Sequence, residues 1–164
     1  MPRAVVVDYE KCTGCRICEI ACSLTNEGAV SPERSRVRVY TLPPGLDIPV
    51  VCVQCQQAPC IEACPQKLIS RDPVTDAVLI QEDLCNGCGL CAKACPAEAI
   101  FLHPTRAVAI KCHLCQGEPA CVKLCPTEAI DYYHVPFDTR VFAKKTEKIA
   151  EEIRRHLLEV PEEG

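Results

Sequence analysis

Four runs of cysteine carry the concentrated chemistry of this sequence. Cys85, Cys88, Cys91 and Cys95 are spaced C-x2-C-x2-C-x3-C and closed by Pro96. Cys12, Cys15, Cys18 and Cys22 repeat that spacing, with Ser23 in place of the proline. Cys52, Cys55, Cys60 and Cys64 lengthen the second gap and end at Pro65; Cys112, Cys115, Cys121 and Cys125 lengthen it further and end at Pro126. All 16 cysteines are then used. Thiolates are soft anionic donors that suit iron–sulfur cores. Three sulfurs on short spacers curl round one Fe4S4 cube, and the fourth, a helical turn further on, points to a neighbouring cube. The count gives four ligands to each of four [4Fe-4S] clusters, with none left over. Zinc ribbons use paired C-x2-C motifs without third and fourth cysteines or Cys-Pro closures, and a radical enzyme needs one cluster with an open iron. No nucleophile–base pair, phosphate loop or dinucleotide fingerprint is present. The chain therefore reads as an electron carrier and not an enzyme.

Around the ligands the sequence offers tuning and insulation. The spacers Thr13-Gly14, Asn86-Gly87 and Gln116-Gly117 put small residues where main-chain N–H groups can approach sulfur, and where the chain must turn. Ile17, Ile20, Ile61, Leu90 and Val122 are expected to wall the cubes off from water. Pro59 and Pro119 stiffen the two longer spacers. Lys11, Arg16, Lys93, Lys111 and Lys123 lie beside ligands. A nearby cation favours the more negative, reduced state, although a solvated surface charge is the plainer reading of each. His113, inside the fourth run, is expected to hydrogen-bond sulfur without ligating iron. One of Tyr132 and Tyr133 is expected in the core.

The hydrophobic fraction of 48% includes the cysteines, there is no Trp, and aromatics make up 4%. So thin an apolar complement in 164 residues predicts a core that metal–ligand bonds complete, and an iron-free chain that does not fold stably. The formal net charge is −4. Each oxidised cube with its thiolates adds −2, which brings the holoprotein to about −12 and argues against strong nucleic-acid binding. Met1–Asp8 shows no secretory signal and no stretch approaches a membrane span. A cytoplasmic, reducing setting without a membrane anchor follows, since an oxidising one predicts disulfides.

The elements that must position the sulfurs are short. Ala4–Asp8 reads as a strand entering the first run, and Cys18–Thr25 as a helical turn or two. Asn26–Ser35 reads as loop, and Arg36–Thr41 as a half-exposed strand ended by Pro43-Pro44-Gly45. Ile48–Cys52 leads into the second run. Leu68–Ser70 and Ala77–Ile80 form a hairpin before the third run. Ala99–Leu102 and Ala107–Lys111 lie between the third and the fourth, and Ala129–Val135 is a final strand. From about Thr139 to Glu159, Phe142, Ile149, Ile153, Leu157 and Val160 recur at near-helical spacing. That predicts an amphipathic helix, which either packs back on its own chain or docks a partner.

The fold class is α+β, built of two units that each resemble a bacterial two-cluster ferredoxin. Sequential pairing joins the first run to the second and the third to the fourth. Nested pairing joins the second to the third and closes the first around the outside with the fourth. The nested version places every strand. It pairs Ile48–Cys52 with Ala99–Leu102, Arg36–Thr41 with Ala107–Lys111, and Ala4–Asp8 with Ala129–Val135. It also gives four ligand sets: Cys12, Cys15 and Cys18 with Cys125; Cys112, Cys115 and Cys121 with Cys22; Cys52, Cys55 and Cys60 with Cys95; and Cys85, Cys88 and Cys91 with Cys64. The outer unit is then 1–47 with 103–136, the inner unit 48–102, and the helical extension 137–164.

With all four runs and three closing prolines in this order, the chain resembles the four-cluster ferredoxin-like subunits of molybdenum and tungsten oxidoreductases. These include the iron–sulfur subunits of the dimethyl sulfoxide reductase and formate dehydrogenase type, and the small polyferredoxin subunits of tungsten aldehyde oxidoreductases. The likeness covers roughly residues 4–135. It implies nested ligation, and a relay of single electrons between a tungsten- or molybdenum-pterin catalytic subunit and another redox partner, a flavin protein or ferredoxin. Some relatives carry Trp at the second cysteine of the third run; Cys88 is present here, so four cubanes are expected. A free-standing polyferredoxin, or the iron–sulfur subunit of a formate dehydrogenase or hydrogenase complex, are the alternatives. A relay with cluster-bearing ends can also self-associate with copies of itself.

Overall fold

The computed structural model describes residues 3–158. It is an α+β chain of short helices and two-stranded antiparallel sheets. β1 (Arg3–Val7) pairs with β8 (Ile130–His134), Val5 opposite Tyr132. β4 (Ile69–Arg71) pairs with β5 (Val78–Ile80). The turn between them is held by the Asp72 carboxylate, which accepts the N–H groups of Val74 at 2.7 Å and Thr75 at 2.9 Å, an Asx turn. Both pairings match the sequence expectation.

The other two pairings differ from it. β2 (Val37–Leu42) pairs with β3 (Leu46–Val51), Val39 opposite Pro49, and not with the strand before the fourth run. β6 (Ile100–Leu102) pairs with β7 (Ala109–Lys111), and not with the strand before the second run. The physical reason is loop closure. Strands joined by a short turn pair at low entropic cost, and both turns are well made. Pro43-Pro44-Gly45 reverses the first, where Gly45 N–H reaches Leu42 O at 2.8 Å. The second is gathered by His103, whose Nδ1 accepts Thr105 N–H at 3.3 Å and Arg106 N–H at 3.1 Å.

Helix length follows the prolines. α2 (Pro59–Glu62), α3 (Leu90–Ala94) and α4 (Ala120–Lys123) are single turns. Each stops just short of a Cys-Pro, where the residue before proline is driven out of the helical region. Pro59 opens α2 and Pro119 caps α4. In the first run Ser23 replaces the proline, and α1 runs on from Ile17 through Cys22 to Glu27, past the expected end. Gly28, at φ +68°, terminates it with its N–H on Leu24 O.

No two-stranded sheet is stable alone, so the elements depend on a shared core. Val5, Val37, Ile48, Ile110 and Leu114 are fully buried there, and Cys18, Cys22, Cys52, Cys112 and Cys121 pack among them. A second cluster joins Cys60 and Cys91 with Ile69, Val78 and Ile100. The C-terminal helix α5 (Thr146–Leu158) starts later than expected, because Thr139–Phe142 forms a separate 3-10 turn. Asp138 caps that turn through Arg140 N–H, and Thr139 is tied down by its hydroxyl donating to Gln54 O at 3.2 Å. Ile149 and Ala150 are buried in the core and Ile153 packs against it. α5 therefore folds back on its own chain. Glu159 and Val160 lie outside the described residues.

A buried ionic cluster ties distant segments together. Arg36 donates to Glu27 at 3.0 Å and to Glu82 at 2.9 Å, and Arg106 reaches both carboxylates at 3.1 and 3.4 Å. His103 Nε2 faces Glu27 at 3.4 Å. Burial alone would raise the Glu27 carboxyl, but Arg36 and Arg106 outweigh it and hold it below its ordinary value. Arg36 and Glu27 are its buried pair, and removing one of those two costs about 3–5 kcal/mol; Arg106 joins them from the surface, so the cluster ties α1, β2 and the β6–β7 turn together.

Candidate metal centres

The four cysteine runs fold alike despite their different gaps. In every run the residue before the second cysteine is left-handed: Gly14 at φ +67°, Gln54 at +54°, Gly87 at +67° and Leu114 at +63°. That twist turns main-chain N–H groups toward the preceding sulfur. Gly87 N–H reaches Cys85 Sγ at 3.5 Å and Leu114 N–H reaches Cys112 Sγ at 3.5 Å. Left-handed non-glycine residues cost about 1–2 kcal/mol each and persist where a site demands them. Glycine at 14 and 87 pointed to this geometry; Gln54 and Leu114, which adopt it without glycine, could not be read from sequence.

The Cys-Pro closures also share one turn. The third residue after the last cysteine is left-handed in each: Lys67 at φ +54°, Glu98 at +52° and Glu128 at +54°. The next N–H then points back at sulfur, Leu68 to Cys64 and Ala99 to Cys95, both at 3.4 Å. At Cys125, burial raises the thiol, but N–H groups of Ile130, Thr127 and Ala129 and the Thr127 hydroxyl pull it below its ordinary value. The first run lacks the proline and this turn. Its Cys22 sulfur instead receives Arg36 N–H at 3.2 Å and the Asn26 amide at 3.5 Å.

Two expected sets each surround a cavity. Cys64, Cys85, Cys88 and Cys91 line one, walled by Pro65, Leu68, Ile69, Ile80 and Ala109. Cys52, Cys55, Cys60 and Cys95 line another, walled by Ala58, Pro59, Val78, Pro96 and Ile100. Cys12 lies within electrostatic reach of Cys15 and Cys125, and Cys121 within reach of Cys112, Cys22 and Cys115. Thiols around apolar-walled hollows, each fed by main-chain N–H donors, fit a cubane. A cubane spreads its ligands over four corners. No three Cys, His, Asp or Glu side chains among the described residues crowd closely enough for a single ion.

Cys15 and Cys88 are exposed, whereas Cys18, Cys22, Cys52, Cys55, Cys60, Cys91, Cys112 and Cys121 are buried. Desolvation pushes the Cys18, Cys60 and Cys112 thiols up to about 12 and Cys55 to about 11. Without iron these sulfurs are neutral at physiological pH, so binding a metal displaces their protons.

Several expected neighbours sit elsewhere. Ile17, Ile20 and Leu90 are exposed and do not wall the sites; Ile61 and Val122 are packed. Their helices turn only a narrow face inward, and the cysteines occupy it. His113 does not touch sulfur: Nε2 meets Asn26 Oδ1 at 2.7 Å and Nδ1 accepts Cys115 N–H at 3.1 Å. It orients the amide that does. Lys11 and Lys123 pair with surface carboxylates, Arg16 pairs with the buried Glu19, and Lys93 is exposed. Lys111 is instead buried, at 3% exposure. Tyr132 packs against the core and Tyr133 is exposed.

Gly87 is the tightest glycine against main chain. A Cβ there would stand 2.8 Å from the Ala107 carbonyl carbon, whereas one at Gly28, of similar φ, meets nothing within 4 Å. Gly87→Ala is expected to lower the anaerobic melting temperature by more than Gly28→Ala. The shared backbone strain is worth about 1–2 kcal/mol, and each kcal/mol moves the midpoint by about 2–4 °C. Equal shifts would show that the Ala107 approach does not constrain the third run.

The model of the 4Fe-4S dicluster domain matches residues 46–135, more than half of the chain. The chain belongs to the 4Fe-4S dicluster family. The 4Fe-4S binding domain matches residues 9–28, over the first run. Among curated relatives, the polyferredoxin-like subunit of aliphatic sulfonate oxidoreductase from Pyrococcus furiosus is 47% identical over 57% of this chain and 54% of that one. Electron transport protein HydN of Escherichia coli is 36% identical over 61% and 59%. Formate hydrogenlyase subunit 2 of Escherichia coli is 41% identical over 61% and 48%. The chain thus spans about half to three-fifths of these relatives. Among solved structures, the BamBC active-site complex of benzoyl coenzyme A reductase aligns over 96% of this chain and 91% of that chain, with a TM-score of 0.50. At 23% identity that likeness shows the fold alone. Family membership makes this an iron–sulfur protein.

Proposed function

We propose that the chain holds four [4Fe-4S] clusters on the nested ligand sets and relays single electrons within an oxidoreductase complex. The observation that carries this is the grouping of cysteines from different runs around shared hollows, Cys64 with the third run and Cys95 with the second. A bound cubane takes up and releases one electron without transferring atoms. The chain's own part is to hold, insulate and tune. Apolar walls and main-chain N–H donors do that at each site. Electrostatic contacts join Cys18 to Cys121 and Cys112 to Cys52, and Cys60, Cys64, Cys91 and Cys95 share one packed cluster. These contacts order the sets as a line from the Cys12 set to the Cys64 set. Exposed Cys15 and Cys88 mark its two ends, where partners exchange electrons. The inner unit 48–102 then sits within the outer one.

The catalytic partner in this reading is a tungsten- or molybdenum-pterin subunit, aldehyde oxidoreductase-like, in the cytoplasm. The 47% likeness to an oxidoreductase's polyferredoxin-like subunit supports an oxidoreductase subunit as the partner, and the pterin metal is what the resemblance of the cysteine runs implies. The likeness to formate hydrogenlyase subunit 2 favours a formate or hydrogenase complex as the second reading. Among the described residues no helix is long and apolar enough to cross a membrane. Anaerobic purification from the native host tests both parts. About 16 iron atoms per chain and a large co-purifying subunit are expected. Nickel in that subunit supports a hydrogenase complex; with tungsten or molybdenum, oxidation of aldehydes by the purified complex supports the first reading and oxidation of formate the second. A chain that purifies alone, fully loaded, would make it a free polyferredoxin.

A further inference from the structure

Lys111 on β7 is a buried cation that the relay as described does not use. Its Nζ donates to Cys112 O at 2.7 Å, to Gln54 Oε1 at 3.4 Å, and to Val78 O. Three acceptors occupy the three donors of an ammonium group. No carboxylate among the described residues pairs with it, whereas Lys11, Arg16 and Lys123 each have one. Gln54 is built to hold it: fully buried, left-handed, with Nε2 on Cys112 O at 2.9 Å and Oε1 also accepting Val78 N–H at 2.9 Å. A desolvated charge with no counter-charge is costly. Glu82 lines the same hollow but is paired with Arg36 and Arg106. The hydrogen bonds of Nζ set it at the carbonyl of Cys112 and at Gln54, between Cys52 and Cys55, and so beside the sulfurs of both runs. Those sulfurs belong to the two inner sets of the line.

We infer that Lys111 is a counter-ion shared by the two inner clusters, held there by Gln54 to raise their reduction potentials above those of the outer two. The inference rests on the four-cluster reading. Neutral carbonyl dipoles steady the ammonium without cancelling its charge, so the charge acts on the clusters undiminished by any partner carboxylate. An electron entering at either end then finds the middle of the line the more favourable place to rest.

The test is an anaerobic redox titration of the loaded protein, followed by electron paramagnetic resonance, with iron counted in every sample. Lys111→Met removes the charge at similar length. Two of the four clusters should lose at least tenfold in their one-electron reduction equilibrium, 59 mV for such a couple, and the other two should move by less than half as much. Lys111→Arg should restore the wild-type pattern. Gln54→Glu keeps the shape and sets a carboxylate against Nζ, and should lower the same two potentials. If Lys111→Met loads less iron than wild type, Gln54→Glu decides. Full iron with four unmoved potentials, or with four equal shifts, overturns the inference. A wild-type protein with fewer than four cubanes would instead sink the four-cluster reading.

Discussion

Stripping the iron anaerobically with a chelator and a reductant is expected to unfold the chain. Far-UV circular dichroism should collapse, protease resistance should vanish, and both should return on reconstitution with iron and sulfide. The scale of the effect follows from what fills the core. Cys18, Cys22, Cys52, Cys112 and Cys121 are members of the main apolar cluster, and Cys60 and Cys91 of the second. Without metal these positions are small side chains around hollows, joined by sheets of only two strands. A single structural metal site can contribute about 10–16 kcal/mol, comparable with the about 5–15 kcal/mol that holds a whole domain folded. Four sites lost together exceed anything the remaining aliphatic contacts supply. An iron-free chain with a cooperative melt and native ellipticity would refute this account.

Cys125→Ser is expected to remove one cluster and leave three. Cys125 lies far along the chain from Cys12 and Cys15, yet stands within their electrostatic reach. Its sulfur is ringed by N–H donors from Thr127, Ala129 and Ile130. A serine oxygen there is a harder, less acidic donor and a poor substitute for thiolate. Iron should fall by about a quarter, and Cys12, Cys15 and Cys18 should become reactive to alkylation under native conditions. The third run should stay protected. Alkylation appearing at Cys85, Cys88 and Cys91 instead would favour sequential pairing. Modification spread over all runs would mean that the mutation had unfolded the chain.

Much of this was legible from residue type and spacing. The cysteine runs and their prolines located every sulfur, and the absent proline at Ser23 explains why α1, alone among the helices of the cysteine runs, outgrows a single turn. The β1–β8 pairing followed from the ferredoxin plan, in which first and last strands pair, and the β4–β5 pairing from the Asp72 turn. The β2–β3 and β6–β7 hairpins did not, because a pattern of apolar residues fixes which face is buried and not which neighbour is chosen. There, the closure cost of the turns decided. The site residues that escaped notice have partners far away in sequence. Gln54 and Lys111 meet across 57 residues, and Glu27 meets Arg106 across 79. Lys111 looked like an ordinary surface lysine because nothing local marks a cation for burial. His113 was placed near sulfur correctly, but it acts on Asn26, one atom group removed.

β7 carries more than its three residues suggest. Ala109 N–H holds Cys85 Sγ at 3.4 Å, Lys111 reaches Val78 and Gln54, and Cys112 follows directly. In the proposed ligand sets this strand is a common keel for three of the sulfur cages. The cage of Cys12, Cys15, Cys18 and Cys125 lies beside α1 and the β1–β8 ribbon, but it shares α1 with its neighbour, since Cys18 and Cys22 are both on that helix. A change made at that end to suit a new partner is therefore carried by α1 into the next cage.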